Sequence, residues 1–161
     1  METDGKRPAL TPPWHGLSGG TIEQTLGMEF ESLDGDRVVI ATEVSPRLFQ
    51  PFGIVHGGVY VVMCESVASV AASLSIDLQR EIAMGMEINA NHLRPVREGR
   101  LRATATPIHR GSSTHVYHCE VHNGDALVNL RYWNDRSVFL ILLTRQRFHL
   151  KADVVRFTEG Q

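Results

Sequence analysis

The sequence predicts an α+β fold in which one antiparallel sheet curls around a single buried helix. Three observations carry this. Two strand-like segments precede one long helical stretch, and at least three follow it. The helical stretch, from Gly57 to near Leu78, is apolar on nearly every side, and such a helix must be wrapped by something. Turn signals separate neighbouring strand segments, as antiparallel neighbours require.

Taken in order, residues 1–19 are rich in Pro, Gly and Thr and lack periodicity, so they are expected to form a flexible arm, with Trp14 docking on the body. A short helix is predicted over Thr21–Leu26. Strands follow over Met28–Leu33 and Val38–Val44, joined by the turn Asp34-Gly35-Asp36. Pro46–Phe52 reads as a loop. In the long helix, Glu65, Ser69 and Ser73 are spaced four apart and form one polar stripe. Strands are then expected over Ile82–Leu93, Arg100–His109, Thr114–His122 and Ala126 to about Trp133. Arg97-Glu98-Gly99 and Asn123-Gly124-Asp125 are turns between them. The tail is different. Ser137–Leu143 is apolar, Arg145-Gln146-Arg147 is basic, and Asp153–Phe157 is strand-like again. It could pair with the sheet edge, pair with another subunit, or be irregular. The domain plan is therefore an arm over 1–19, a body over 20–135 and an atypical C-terminal segment over 136–161.

With 161 residues the chain can bury one real core. Hydrophobic residues at 42% and charged residues at 21% describe an ordinary globular protein. A net charge of −2 argues against nucleic-acid binding. Cys64 and Cys119 are far apart in sequence and in no motif, which suits a reducing cytoplasm. No signal peptide is expected, and the longest apolar run is too short to span a bilayer.

The chemistry concentrates between Gln50 and Ser69. Gly57-Gly58 at a helix start offers backbone N–H groups at the positive end of the dipole, where a carbonyl can be polarised or an oxyanion held. Glu65, two turns further in, is a carboxylate on a buried helix, which is costly without a partner or a task. The residues alone leave alternatives open. The glycines could make only a tight turn, His56 could be a capped core histidine, and Glu65 could pair with an arginine.

The segment from Gln50 through His56-Gly57-Gly58 to Glu65 and Ser69 resembles the signature of hotdog-fold thioesterases. It is most similar to the PaaI-like branch and the 4-hydroxybenzoyl-CoA thioesterases that carry a helix Glu. The likeness spans roughly residues 20–132, with further blocks at Asn91–Gly99 and His109–Thr114. The resemblance implies an acyl-CoA thioesterase. Glu65 would be nucleophile or general base, and the Gly57 N–H would polarise the thioester carbonyl. Gly58 would share the substrate-facing glycine turn, and His56 would shape the pocket. Gln50 would sit near the leaving thiolate or the attacking water. Ser69 stands where the family has a Thr that assists hydrolysis, keeping the hydroxyl and losing a methyl. Arg94, Ser112 and Ser113 would contact the CoA nucleotide and phosphates. It also implies a homodimer or homotetramer whose sites draw Glu65 and Gly57 from different subunits. No cofactor is implied beyond the CoA of the substrate. The family's short last strand is not apparent after Asn129, where the text departs from the pattern.

Other features carry less. His115 should face opposite to His118 and His122, and the latter two lie roughly 13 Å apart on an extended strand, so no metal site is expected. Cys64 should point away from Glu65 and be a buried structural thiol. No Walker loop or nucleophile elbow is present. A hotdog hydratase would carry an Asp and a His on the loop before the helix in a pattern with Asn and Pro, and this sequence lacks that pattern. A non-catalytic acyl-CoA-binding sensor is the alternative function. Phe49, Phe52 and Tyr60 would suit either an aryl or a medium-chain acyl group.

Overall fold

The structure is a computed structural model that describes residues 10–12, 20–129 and 141–147. Trp14, Trp133, Ser137 and the Asp153–Phe157 stretch lie outside the described residues.

Helix α1 (Ile22–Leu26) is short but well fastened. Thr21 and Gln24 form a reciprocal capping box, and Gly27 closes the helix in the left-handed region at φ 64°. Buried Thr42 then donates its hydroxyl to the Leu26 carbonyl at 2.8 Å, tying the helix end to the sheet. Strands β1 (Glu29–Asp34) and β2 (Arg37–Glu43) form the expected hairpin. The predicted loop over Pro46–Phe52 is more ordered than expected. A 3-10 turn over Pro46–Leu48 leads into a small ribbon of β3 (Phe49–Gln50) and β4 (Ile54–Val55). Gly53 turns that ribbon at φ 70°, a conformation that favours glycine.

Helix α2 (Gly57–Ser73) is the central element, and it buries Met63, Cys64, Val67, Ala68 and Ala71 completely. Each such Val or Met side chain contributes about 1.5–3 kcal/mol relative to exposure. The helix ends sooner than the predicted Leu78. Ser75 donates its hydroxyl to Ala72 O at 2.7 Å, and the Asp77 carboxylate takes the Gln79 N–H at 3.0 Å. Those local bonds compete with further helical turns.

Strand β5 (Glu81–Ile88) is also shorter than expected. Beyond it the backbone crosses the open end of the sheet. The N–H groups of Leu93 and Arg94 bond to Val128 O, and Val96 O takes the Val55 N–H. Strands β6 (Arg100–Arg110) and β7 (Thr114–Asn123) pair along nearly their whole length. Their inward residues Leu101, Ala103, Ala105, Tyr117, Cys119 and Val121 pack on α2. The outward face carries charge instead. Arg100 bridges Glu29, Glu31 and Glu43, and Arg102 adds a second contact to Glu31.

The tail produces the largest departure. Strand β8 (Ala126–Asn129) begins along β7 opposite Val121–Asn123. Strand β9 (Ile141–Arg147) takes the same edge of β7 opposite Thr114–Tyr117, and its other edge pairs with β5. The sheet order is β1-β2-β6-β7-β9-β5, so part of the tail is interior to the sheet rather than at its edge. The result is the predicted antiparallel sheet wrapped around one long helix. Among the described residues no helix is long and apolar enough to cross a membrane.

Candidate active site

The first half of the site surrounds the start of α2. The incoming chain is clamped on both sides, by Val55 N–H to Val96 O at 2.9 Å and His56 N–H to Leu48 O at 2.8 Å. His56 is the N-cap, and its Nδ1 accepts the Gly58 N–H at 2.9 Å. That bond requires Nδ1 to be unprotonated, so the neutral ring carries its proton on Nε2. It also uses up the Gly58 amide. Among the described residues no acceptor takes the Gly57 N–H, which is left at the positive end of α2.

His92 covers Gly57 so closely that a Cβ there would lie 2.6 Å from His92 Nε2, so a larger residue would displace the His92 ring. Tyr60 lies behind His92 with ring centroids 5.6 Å apart. Its buried hydroxyl has no partner among the described residues, and burial pushes the phenol up to about 12. Gln50, Gly57, Tyr60, His92 and Arg94 together line a groove of about 280 Å³.

The second half lies farther along the helix. Glu65 and Ser69 share one stripe, and Ser69 Oγ donates to Glu65 Oε1 at 3.3 Å. Among the described residues no cation pairs with Glu65, so the arginine partner that a purely structural role would call for is absent there. Burial pushes the Glu65 carboxyl above its ordinary range, and the Ser69 hydroxyl bond partly opposes this. Gly85 of β5 lies directly against the carboxylate, and a Cβ there would overlap Oε1. Glu65, Ser69 and Ser73 open onto a groove of about 530 Å³, walled by Ile22, Val62, Val70 and Ile88 with Glu23 at its side.

The predicted site residues thus fall into two groups. Gln50, Gly57 and Arg94 share one groove, and Glu65 and Ser69 share the other. On one helix Gly57 and Glu65 are separated by roughly 12 Å along the axis. Ser112 and Ser113 form the β6–β7 turn, just before Thr114. Arg94 is held by Val128, near the opposite end of β7. One chain therefore does not bring Arg94 and the two serines together.

Three neighbours of the site were not singled out from the sequence. A glycine inside a strand, Gly85, is a signal for close approach and could have been read that way. His92 lay in a resembling block without an assigned role. Glu23 carried no signal beyond its place in a short helix.

The histidines of β7 divide as expected. His115 is buried at 3% exposure, while His118 and His122 both contact Glu120 on the outer face, each at 3.3 Å. Among the described residues no cluster has a metal-binding arrangement. Cys64 and Cys119, distant in sequence, are packing neighbours, with Cys119 Sγ donating to Cys64 O at 3.7 Å, and both are free thiols.

Comparison with known proteins adds an independent line. Residues 52–129 match the family described as the thioesterase superfamily. A 1,4-dihydroxy-2-naphthoyl-CoA hydrolase of Escherichia coli is 37% identical over 116 residues, covering 72% of this chain and 85% of that protein. The enzyme of the same name from Listeria monocytogenes is 43% identical over 100 residues, covering 62% and 80%. The crystal structure of a thioesterase from Haemophilus influenzae superposes with a TM-score of 0.71 at 32% identity, covering 81% of this chain and 86% of that one.

Proposed function

The chain belongs to the thioesterase superfamily and is a thioesterase of the hotdog fold, and we propose that it hydrolyses acyl-CoA thioesters with Glu65 as its catalytic carboxylate. The observation that carries this is Glu65 itself, a half-buried carboxylate beside a groove whose partner among the described residues is a serine hydroxyl. A group held that way is poised for chemistry.

The reaction adds water across R–CO–S–CoA and yields R–COO⁻, CoA–SH and a proton. The Gly57 N–H at the head of α2 stabilises the oxyanion as the carbonyl is attacked. Glu65 supplies the electron pair, by attacking the carbonyl carbon or by taking a proton from the attacking water. Ser69 orients Glu65 from one turn away. Gln50 holds the water or the departing sulfur. His56 acts as a cap and shapes the loop rather than serving as a base, because its Nδ1 is already occupied. Arg94 meets a CoA phosphate at the rim of the first groove.

The complete site joins two copies of the chain, the Gly57 groove of one facing the Glu65 groove of the other. The roughly 12 Å between these groups on one helix supports this, because no single carbonyl reaches both. The edge of β5 supports it too, since Met84 and Met86 are 42% and 59% exposed there. In such an assembly Ser112 and Ser113 contact the CoA of a site whose Arg94 comes from another copy.

The acyl group is aromatic, of the size class of benzoyl or naphthoyl. The hydrolases of Escherichia coli and Listeria monocytogenes support this by name, and a groove of about 530 Å³ has room for such a ring. The resemblance to the PaaI-like branch points the same way. The test is free-thiol release from benzoyl-, phenylacetyl-, hexanoyl- and palmitoyl-CoA. Turnover with the aryl esters leading supports the proposal. Tight binding without turnover of any ester overturns it in favour of an acyl-CoA sensor.

A further inference from the structure

We infer that Glu23 sets the acyl-group specificity of the Glu65 groove, favouring acyl groups that carry a hydroxyl and rejecting those that carry a carboxylate. This rests on the proposal that the groove receives the acyl group, and it concerns selection rather than the chemical step.

Glu23 is a fixed feature of the wall. Helix α1 is tied at its start by the Thr21 capping box and at its end by Thr42. One Glu23 oxygen, Oε1, accepts the Ser66 hydroxyl at 2.7 Å. Ser66 is 7% exposed and adjoins Glu65 on α2, so this bond pins the Glu23 side chain beside the reacting carboxylate. The other oxygen, Oε2, has no hydrogen-bond partner among the described residues. The apolar part of the wall around it is made by Ile22, Val61, Val62, Val70 and Ile88, Ser69 and Ser73 add hydroxyls, and among the described residues no lysine or arginine lines the groove.

A carboxylate is an acceptor only. In an apolar wall its free oxygen rewards a ligand that donates and penalises one that brings a second negative charge. Discrimination by a hydrogen-bonding group placed in the site exceeds what the shape of an apolar pocket achieves. Glu65 already contributes one carboxylate to the same groove, so an anionic acyl group meets two. Glu23 also stands in the first turn of α1, where a negative charge favours the helix. A purely structural role of that kind would alter stability without altering ligand ranking.

The experiment uses three CoA thioethers that cannot be hydrolysed, S-hexyl, S-(ω-hydroxyhexyl) and S-(ω-carboxypentyl), titrated calorimetrically into wild type, Glu23→Gln and Glu23→Ala. Wild type is expected to bind the hydroxylated ligand about fivefold more tightly than the hexyl ligand, and the carboxylated one about tenfold more weakly. Glu23→Gln keeps a side-chain acceptor for Ser66 and removes the charge. It is expected to bring the carboxylated ligand within about threefold of the hexyl ligand, with hexyl affinity changed less than about twofold. Three equal affinities in wild type, an unchanged ranking in Glu23→Gln, or no binding of any ligand each overturn the inference. Should Glu23→Ala not fold, Glu23→Gln decides alone. Turnover plays no part in this readout. A protein that ranks the ligands as stated yet hydrolyses no acyl-CoA would contradict the proposed reaction and leave the role of Glu23 standing.

Discussion

Replacing Gly85 by alanine probes whether the Glu65 carboxylate works from the position it occupies. Gly85 sits in β5 where the register breaks between Gly85 and Glu87. A methyl there would overlap Glu65 Oε1 and stand 3.2 Å from the carboxyl carbon and 3.5 Å from Oε2. Ordinary contacts need about 3.5–4.0 Å, so the carboxylate must retreat by roughly 1 Å. The retreat is possible, because the overlapping atom is the far end of a side chain. The cost in stability is therefore at the low end of overpacking, about 1 kcal/mol. Catalysis is less forgiving, since a misplacement of about 1 Å costs on the order of a hundredfold. Steady-state thiol release should show kcat reduced about a hundredfold with KM changed less than about threefold. Gly35→Ala is the control, because a Cβ there has nothing within 4 Å. A folded Gly85→Ala enzyme with kcat within about twofold of wild type would refute the reasoning.

Three other predictions concern the site, the core and the outer face. Glu65 acts as a carboxylate with a raised pKa, so activity is present above that value and lost as pH falls through it, at a higher pH than for an ordinary glutamate. Ser69→Ala removes a bond that lowers the value, so the acid limb of kcat/KM should move further up, and an unmoved limb would contradict the pairing. Cys64 and Cys119 are both fully buried, and burial holds the Cys119 thiol well above its ordinary range. Neither should react with a thiol reagent in the native state, and both should react in denaturant. Prompt labelling of the folded protein would contradict that packing. Arg100→Ala should cost about 1 kcal/mol at low salt and less in molar salt, as read from denaturant midpoints, because it leaves Glu29, Glu31 and Glu43 facing one another. A loss independent of salt would point to packing instead.

Much of this was legible in the chain because strong local signals agreed. An apolar helix opened by two glycines, and strands separated by turn residues, defined a sheet around a helix. The stripe Glu65, Ser69 and Ser73 appears on one face of α2 as its spacing requires. What could not be read depended on contacts distant in sequence. Gly85 owes its role to a carboxylate twenty residues away on another element. Glu23 owes its role to Ser66. The early end of α2 at Ser73 was decided by Ser75 and Asp77 bonding locally, which overrode an apolar pattern that continued to Leu78. The placement of Ile141–Arg147 between β7 and β5 was likewise a matter of long-range pairing, for which an apolar run alone gives no address.

The most direct test of the account compares wild type with Glu65→Gln for free CoA release from an aryl-CoA that wild type hydrolyses. Affinity for an S-alkyl CoA thioether is measured alongside. The amide keeps the shape of Glu65 and removes its charge, basicity and nucleophilicity. The account predicts at least about a thousandfold loss of kcat with ligand affinity within about threefold of wild type. A Glu65→Gln protein that binds equally well and retains a tenth or more of the wild-type rate would contradict it, and the catalytic carboxylate would have to be sought elsewhere.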